Sequence, residues 1–403
     1  MTSLTNKNTS RSQKRVGLVL PNTPAYSETF FRNKILGLQQ HGYRVILFVN
    51  NPKAKREYLN CKTVTAPHLQ GKFWVVWWRS FLLLLQAVFI RTRKSVRLYQ
   101  LNQQDGVGFV ENIKSVLSNQ FLLGYHLDWL HFGFGTMALG RVNIAQVIGA
   151  QMAVSFRGFD IGIYPIKYPN CYNLLFRKVD KIHVISDDLT NLLYKKGLSK
   201  NVKISKITPA IDTDFFVSNA KLENAVLQLT TIARLHWKKG LEYTLEALAM
   251  LKKQNIPFHY AVLGDGEEKE RLLFAVHQLG LGEHVSFLGK LPPEAVKKEL
   301  ETTDVYLQYS IQEGFCNAVL EAQAMGILCV VSDAEGLREN VLDGQTGFVV
   351  PKQNPKLLFE KLLEVMHLSE SEKETIKKQA VQRVREEFHL EKQQREFLKF
   401  YET

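Results

Sequence analysis

The sequence predicts an α/β chain of two doubly wound, Rossmann-like parallel-sheet domains facing across a cleft. Apolar runs of strand length alternate with helix-length segments along most of the chain, the mark of parallel α/β domains. Several of those runs end in polar or glycine residues, as strands feeding a site do. The 403 residues, 45% of them hydrophobic, can bury two cores of about 200 residues each.

Residues 1–14 are polar and basic with no apolar stretch, so they read as a disordered tail and not as a secretory leader. The first domain spans 15–208. Its strands are Arg15–Leu20, Tyr43–Val49, Asp128–His131, Met152–Phe156, Lys181–Ser186 and Lys203–Ile207. Residues 209–226, opening at Pro209, read as an interdomain linker. The second domain, 227–385, opens on the strand Leu227–Ile232. A helical pattern follows, with Leu241, Leu245, Leu248 and Leu251 on one side. The closing segment, 386–403, carries a helix over Leu390–Tyr401.

The most informative stretch is Glu313-Gly-Phe-Cys-Asn-Ala-Val-Leu-Glu321. It places one carboxylate in a glycine-containing loop and a second on an apolar helix that Gly326 can stop. The first amides of that helix are donors without partners at the positive end of its dipole, a ready anion site. Glu321 lies one to two turns further in, placed to accept hydroxyls of the same ligand. A ligand anionic in the middle and hydroxylated at both ends is a nucleotide sugar. Two glutamates eight apart are a weak signal alone. Upstream, Arg234 and Lys239 flank a strand-to-helix turn (Ala233-Arg-Leu-His-Trp-Lys-Lys-Gly240) and can converge on a diphosphate. Val262-Leu-Gly-Asp-Gly-Glu267 then runs a strand into a glycine turn at Gly264, where backbone can approach a ligand.

These segments, in this order, resemble the retaining glycosyltransferases of family 4, which have the GT-B fold. The resemblance continues through Phe287-Leu-Gly-Lys-Leu-Pro292, Glu335-Gly-Leu-Arg-Glu-Asn340 and Asp343-Gly-Gln-Thr-Gly-Phe-Val-Val-Pro351, covering the second half of the chain. In the first half it is fainter: Ser27-Glu-Thr-Phe30, Leu130-His-Phe-Gly133, Ser155-Phe-Arg-Gly-Phe-Asp160 and Val184-Ile-Ser186. These fit the capsule- and exopolysaccharide-type bacterial branch.

The resemblance implies transfer of a hexosyl unit from a UDP- or GDP-linked sugar to a glycan or lipid-linked acceptor, with retention at the anomeric carbon. It implies donor binding on the second domain and acceptor binding on the first, with the last helix crossing back. Arg234 and Lys239 would hold the diphosphate and stabilise the leaving nucleotide. Main-chain amides of Gly314, Phe315, Cys316 and Asn317 would bind sugar hydroxyls and the distal phosphate. Glu313 would contact the sugar, Glu321 the ribose, and main chain at Leu291 the base. His131 would sit near the transferred sugar, as hydrogen-bond partner and not as nucleophile. Ser27, Glu28, Arg157 and Asp160 are acceptor-side candidates. The chain departs from the family at Arg157, where many members have His, and in the loop Pro21–Phe30, which lacks paired glycines. The same fold hosts nucleotide-sugar epimerases, and a degenerate member could serve as a membrane scaffold; the intact Glu313, Glu321, Arg234 and Lys239 argue against the scaffold.

Neither a metal nor another cofactor is expected. Asp212-Thr-Asp214 formally matches a cation-binding Asp-x-Asp, yet it lies in the linker, and Arg234 and Lys239 supply the positive charge. Cys61, Cys171, Cys316 and Cys329 are widely spaced, with no CxxC, and read as reduced thiols of a cytoplasmic chain. The net charge of +13 comes with no zinc finger, RNP strand or dense basic recognition helix, so nucleic acid is not the partner. An anionic membrane surface is the better one. Phe73–Ile90 is dense in Trp, Phe and Leu and leads into Arg91, Arg93, Lys94 and Arg97. It is short for a span and is interrupted by Arg79 and Gln86. Two readings stay open: a helix lying at the inner face of the cell membrane, or a buried helix of the first domain.

Overall fold

The computed structural model describes residues 13–24, 29–51, 57–218 and 226–402. Strands β1 (Arg15–Leu20), β2 (Arg44–Val49), β3 (Glu57–Tyr58), β4 (Cys61–Thr65), β5 (Trp129–Phe132), β6 (Gln151–Phe156), β7 (Lys181–Val184) and β8 (Lys203–Lys206) build the first sheet. Their order is β3-β4-β2-β1-β5-β6-β7-β8. All pairs are parallel except the short β3–β4 hairpin. Strands β9 (Leu227–Ile232), β10 (Phe258–Leu263), β11 (Val285–Gly289), β12 (Val305–Gln308), β13 (Leu328–Ser332) and β14 (Phe348–Val350) form the second, all-parallel sheet. Its order is β11-β10-β9-β12-β13-β14. Helices cover both faces, so β1, β2 and β6 are buried at every position but their first, and their sequences read as near-continuous apolar runs.

This topology decides where a ligand goes. Strand order reverses at β1/β5 in the first sheet and at β9/β12 in the second. Loops leaving the carboxyl ends of adjacent strands diverge at such points and open a crevice. In the second sheet those loops begin at Ala233 and Tyr309, and they carry Arg234, Lys239 and Glu313.

The last helix, Leu390–Glu402, packs on the first domain. Lys181 Nζ donates to Phe400 O at 2.8 Å, and Trp129 Nε1 and Lys14 Nζ both donate to Tyr401 O at 3.2 Å. An apolar cluster runs from β1 through the last helix and into the second domain, where the rings of Phe315 and Phe388 lie 5.5 Å apart.

The long connection between β4 and β5 holds a helical lobe. The helix Phe73–Leu85 runs into a π-helical turn, Gln86–Ile90, and is followed by helices Thr92–Gln104, Phe109–Ser118 and Gln120–Leu123. Of the two readings of this segment, burial fails: no residue of Phe73–Leu85 is buried, and Phe73 and Trp74 are 72% and 71% exposed. The stretch is apolar around its circumference, with no pattern selecting a core face.

Candidate active site

Two loops of the second domain are zipped together by main chain. Ile311 and Gln312 N–H both donate to the Lys238 carbonyl, at 2.8 and 3.2 Å. That register brings Lys239 onto Glu313, and the two form a largely buried ion pair. Burial alone would pull the Lys239 ammonium down, but the Glu313 carboxylate outweighs it and holds Lys239 above its ordinary value. Arg234 lies exposed on the same loop, near enough to oppose the Lys239 charge. Lys238 is pulled down, chiefly by burial. The site is therefore a cationic loop facing one carboxylate, a fixed charge arrangement suited to a diphosphate.

The helix Asn317–Ala324 starts at this point. The amides of Gly314, Phe315 and Asn317 have no partner among the described residues. The Cys316 amide does not join them. It donates to Asn340 Oδ1 at 2.9 Å, and Asn340 Nδ2 donates back to Cys316 O at 3.0 Å. Asn340 is thus the clip that shapes the loop, so of the four amides expected to face the ligand only three can. Its place at the end of the Glu335–Asn340 motif was the available signal. Glu321 lies one turn further along, its side chain with no hydrogen-bond partner among the described residues, and burial lifts its carboxyl to about 7. A desolvated carboxylate without a donor is stabilised by a ligand that brings hydroxyls.

Gly264, at the exit of β10, has φ +138°. A Cβ there would run into the Ala233 carbonyl oxygen, so glycine lets the exits of β9 and β10 close up. Its own N–H donates to Gly289 O at 2.7 Å and is not free for a ligand. Leu291, half-buried, follows the carboxyl end of β11 beside it.

The first domain meets this loop directly. A Cβ on Gly314 would lie 2.6 Å from the Arg157 carbonyl oxygen, so only glycine allows the approach. Asn317 Nδ2 reaches Thr29 Oγ1 at 3.5 Å, at the start of the helix Thr29–Gln40. Ser27 and Glu28, immediately before it, lie outside the described residues. Arg157 stacks its guanidinium over Phe30 and Phe31, 4.0 and 4.8 Å from the ring centres, at the cleft. Asp160 does not present its side chain to an acceptor. It is buried, and its carboxylate accepts from the amides of Arg157 (2.9 Å), Gly158 and Gly135 (both 3.0 Å), fixing the loops after β6 and β5.

His131 is also misplaced by the sequence reading. It is fully buried within β5, between Ser155 Oγ at 2.7 Å and Tyr401 Oη at 2.5 Å, with Lys34 Nζ 3.1 Å away. Burial, with Lys34 beside it, holds His131 far below the usual imidazole range. It is a neutral core histidine. The strand runs one residue beyond it, so the turn into the cleft begins at Gly133.

Asp212 has a local role. Its Oδ1 accepts from the amides of Asp214 and Phe215, both at 3.1 Å, closing a turn in the linker.

Residues 211–382 match the family described as glycosyl transferases group 1. The second domain carries this family's signature, and the fold of the chain is GT-B. Over 268 residues the enzyme is 31% identical to a putative colanic acid biosynthesis glycosyltransferase, WcaL, of Escherichia coli K12; the alignment covers 64% of this chain and 66% of that one, just under two thirds. It is 26% identical over 374 residues to the amylovoran biosynthesis glycosyltransferase AmsK of Erwinia amylovora, covering 88% and 90%. Among solved structures, Anabaena HepE in complex with UDP-glucose superposes with a TM-score of 0.69 over 96% of this glycosyltransferase and 99% of that chain, at 14% identity.

Proposed function

We propose that this glycosyltransferase moves a hexosyl unit from a UDP- or GDP-linked sugar to a glycan or lipid-linked acceptor in surface polysaccharide biosynthesis, with retention and without a metal ion. The observation that carries this reading is the convergence, at the switch point of the second sheet, of Arg234, the Lys239–Glu313 pair and the three partnerless amides of Gly314, Phe315 and Asn317. Glu321 stands behind them, desolvated. The relatives named for colanic acid and amylovoran synthesis support the pathway class, and HepE with UDP-glucose supports the donor class.

Arg234 and Lys239 would take the charge that develops on the departing diphosphate, a role worth about a hundred- to a thousandfold in rate for a single donor. Glu313, tied to Lys239, is placed to orient the sugar. A front-face substitution, with the leaving phosphate helping to deprotonate the acceptor hydroxyl, then needs positioning and charge only. His131 takes no part in this scheme, and Arg157, whose main chain meets Gly314, is a first-domain cation at the cleft. The deciding experiment is donor binding across UDP- and GDP-linked hexoses and N-acetylhexosamines, with Glu321→Ala as control. Nucleotide release that requires added acceptor and persists in EDTA confirms metal-independent transfer. Release without acceptor, or loss in EDTA, overturns it.

A further inference from the structure

We propose that the helical lobe between β4 and β5 is a membrane-docking face, made by the Phe73–Leu85 helix together with the start of Phe109–Ser118, and lying flat on an anionic lipid surface. The inference rests on the lipid-linked acceptor proposed above. Trp74, Trp77, Trp78, Phe81 and Leu82 are all exposed, and beside them Phe109 and Val110 are 68% and 60% exposed on a helix in contact with the first. The second helix is not a long apolar run: only its first two residues and Ile113 are apolar on that side.

The apolar stretch Phe73–Ile90 has a mean hydropathy of 1.7 over 18 residues, enough by composition to cross a bilayer. The sheet forbids it. β1 pairs with β2 on one side and β5 on the other. The stretch separates β4 from β5, so a single crossing would put strands of one sheet on opposite sides of the membrane. The stretch must enter and leave on the same face, which leaves an interfacial helix with aromatic rings at headgroup depth.

Charge selects the lipid. Lys72, Arg93 and Arg97 are exposed on the lobe, as is Lys114, which pairs with Glu111 at 3.1 Å. Arg91 and Lys94, expected from sequence to face lipid, turn inward to the carbonyls of Gln120 and Leu123 and anchor the lobe to its own last helix. A second copy of this basic face would be repelled; an anionic surface is attracted. The lobe is fastened to the cleft rim: Ser115 Oγ and Asn119 Nδ2 donate to Gly140 O at 3.3 Å, and Arg141 Nε donates to Asn119 Oδ1 at 3.1 Å. The segment Gly140–Asn143 follows β5 at the carboxyl edge of the first sheet, so docking sets the acceptor side of the cleft against the membrane.

The test is flotation of the full chain with phosphatidylglycerol-containing and pure phosphatidylcholine vesicles, without donor or acceptor. Expected is binding to anionic vesicles, weakened roughly fivefold per charge in Arg93→Gln and Arg97→Gln, and lost in Trp74→Ser/Trp78→Ser and in Phe109→Ser. Donor binding by the same variants reports their folding and stays unchanged, which separates failure of docking from failure of the donor site. Three of the five tryptophans, Trp74, Trp77 and Trp78, lie on this helix, so lipids brominated near the headgroup should quench more than lipids brominated at the chain end. No flotation, stronger quenching by the deep label, or dimers in solution that the same substitutions dissociate would each overturn the proposal.

Discussion

Glu321 is a carboxyl held near 7 by burial, against an ordinary value of 4.5. The shift is upward, so the fold favours the protonated form. The contribution of Glu321 to stability is therefore greatest below pH 4.5 and falls as pH rises towards 7; above that its charged form costs the fold about 3 kcal/mol. A ribose diol can donate to both oxygens of a carboxylate, whereas a carboxylic acid turns one oxygen into a donor and accepts more weakly at the other. Donor binding should therefore select the ionised form and release a proton. At pH 6 about a tenth of the protein is in that form, so the apparent Kd for an intact nucleotide sugar should be roughly tenfold weaker at pH 6 than at pH 8. The sugar-linked diphosphate gains no proton in this range, so the dependence belongs to the protein. Calorimetric titration at pH 6, 7 and 8, in buffers of differing ionisation enthalpy, reads both Kd and proton release. Glu321→Gln should flatten the profile, weaken binding at pH 8, and raise Tm by a few degrees at pH 8 while leaving it unchanged at pH 4.5. A flat wild-type profile, or an unchanged slope in Glu321→Gln, would refute the reasoning.

The other expectations concern single contacts. Lys239→Ala should lower kcat by about a hundredfold or more and leave Glu313 largely buried without its partner; a kcat within a few fold of wild type would remove Lys239 from the donor site. Gly314→Ala places a methyl against the Arg157 carbonyl, so the loop or the first domain must shift; transfer should fall at least tenfold with Tm little changed. His131→Ala should cost about 2–4 kcal/mol of stability through a core cavity and broken hydrogen bonds, while kcat of the folded fraction, measured below its Tm, stays near wild type. A large fall in kcat at unchanged stability would return His131 to the site.

The fold was legible because parallel strands covered on both faces announce themselves as apolar runs, and β1, β2 and β9 begin and end within a residue of where the runs do. The meeting of the two loops was legible for a different reason: Arg234, Lys239 and Glu313 sit on the loops that the switch point forces together, and Glu321 on the helix that follows. What sequence could not show was which way a side chain faces within a buried strand or just beyond its end. His131 and Asp160 both occupy plausible positions near strand ends, and both are turned into protein, one by the Lys34–Tyr401–Ser155 cluster and the other by three amides. Nor could it show that Asn340 takes the Cys316 amide, because that contact joins residues 24 apart. The exposure of Phe73–Leu85 was hidden for the same reason that makes it notable: a helix apolar on every side has no periodicity by which to choose between core and lipid.

The crossing of the last helix has a consequence for biosynthesis. Trp129, Lys181 and His131 of the first domain, and Lys14 just before it, all hydrogen-bond to Phe400 or Tyr401. The first half of the chain leaves the ribosome with Trp129 and His131 still lacking the surface that covers them. The second domain, whose strands are contiguous in sequence, can close as it emerges. The protein is thus made in one order and completed in another: the domain translated first is sealed last, when residues 390–402 arrive.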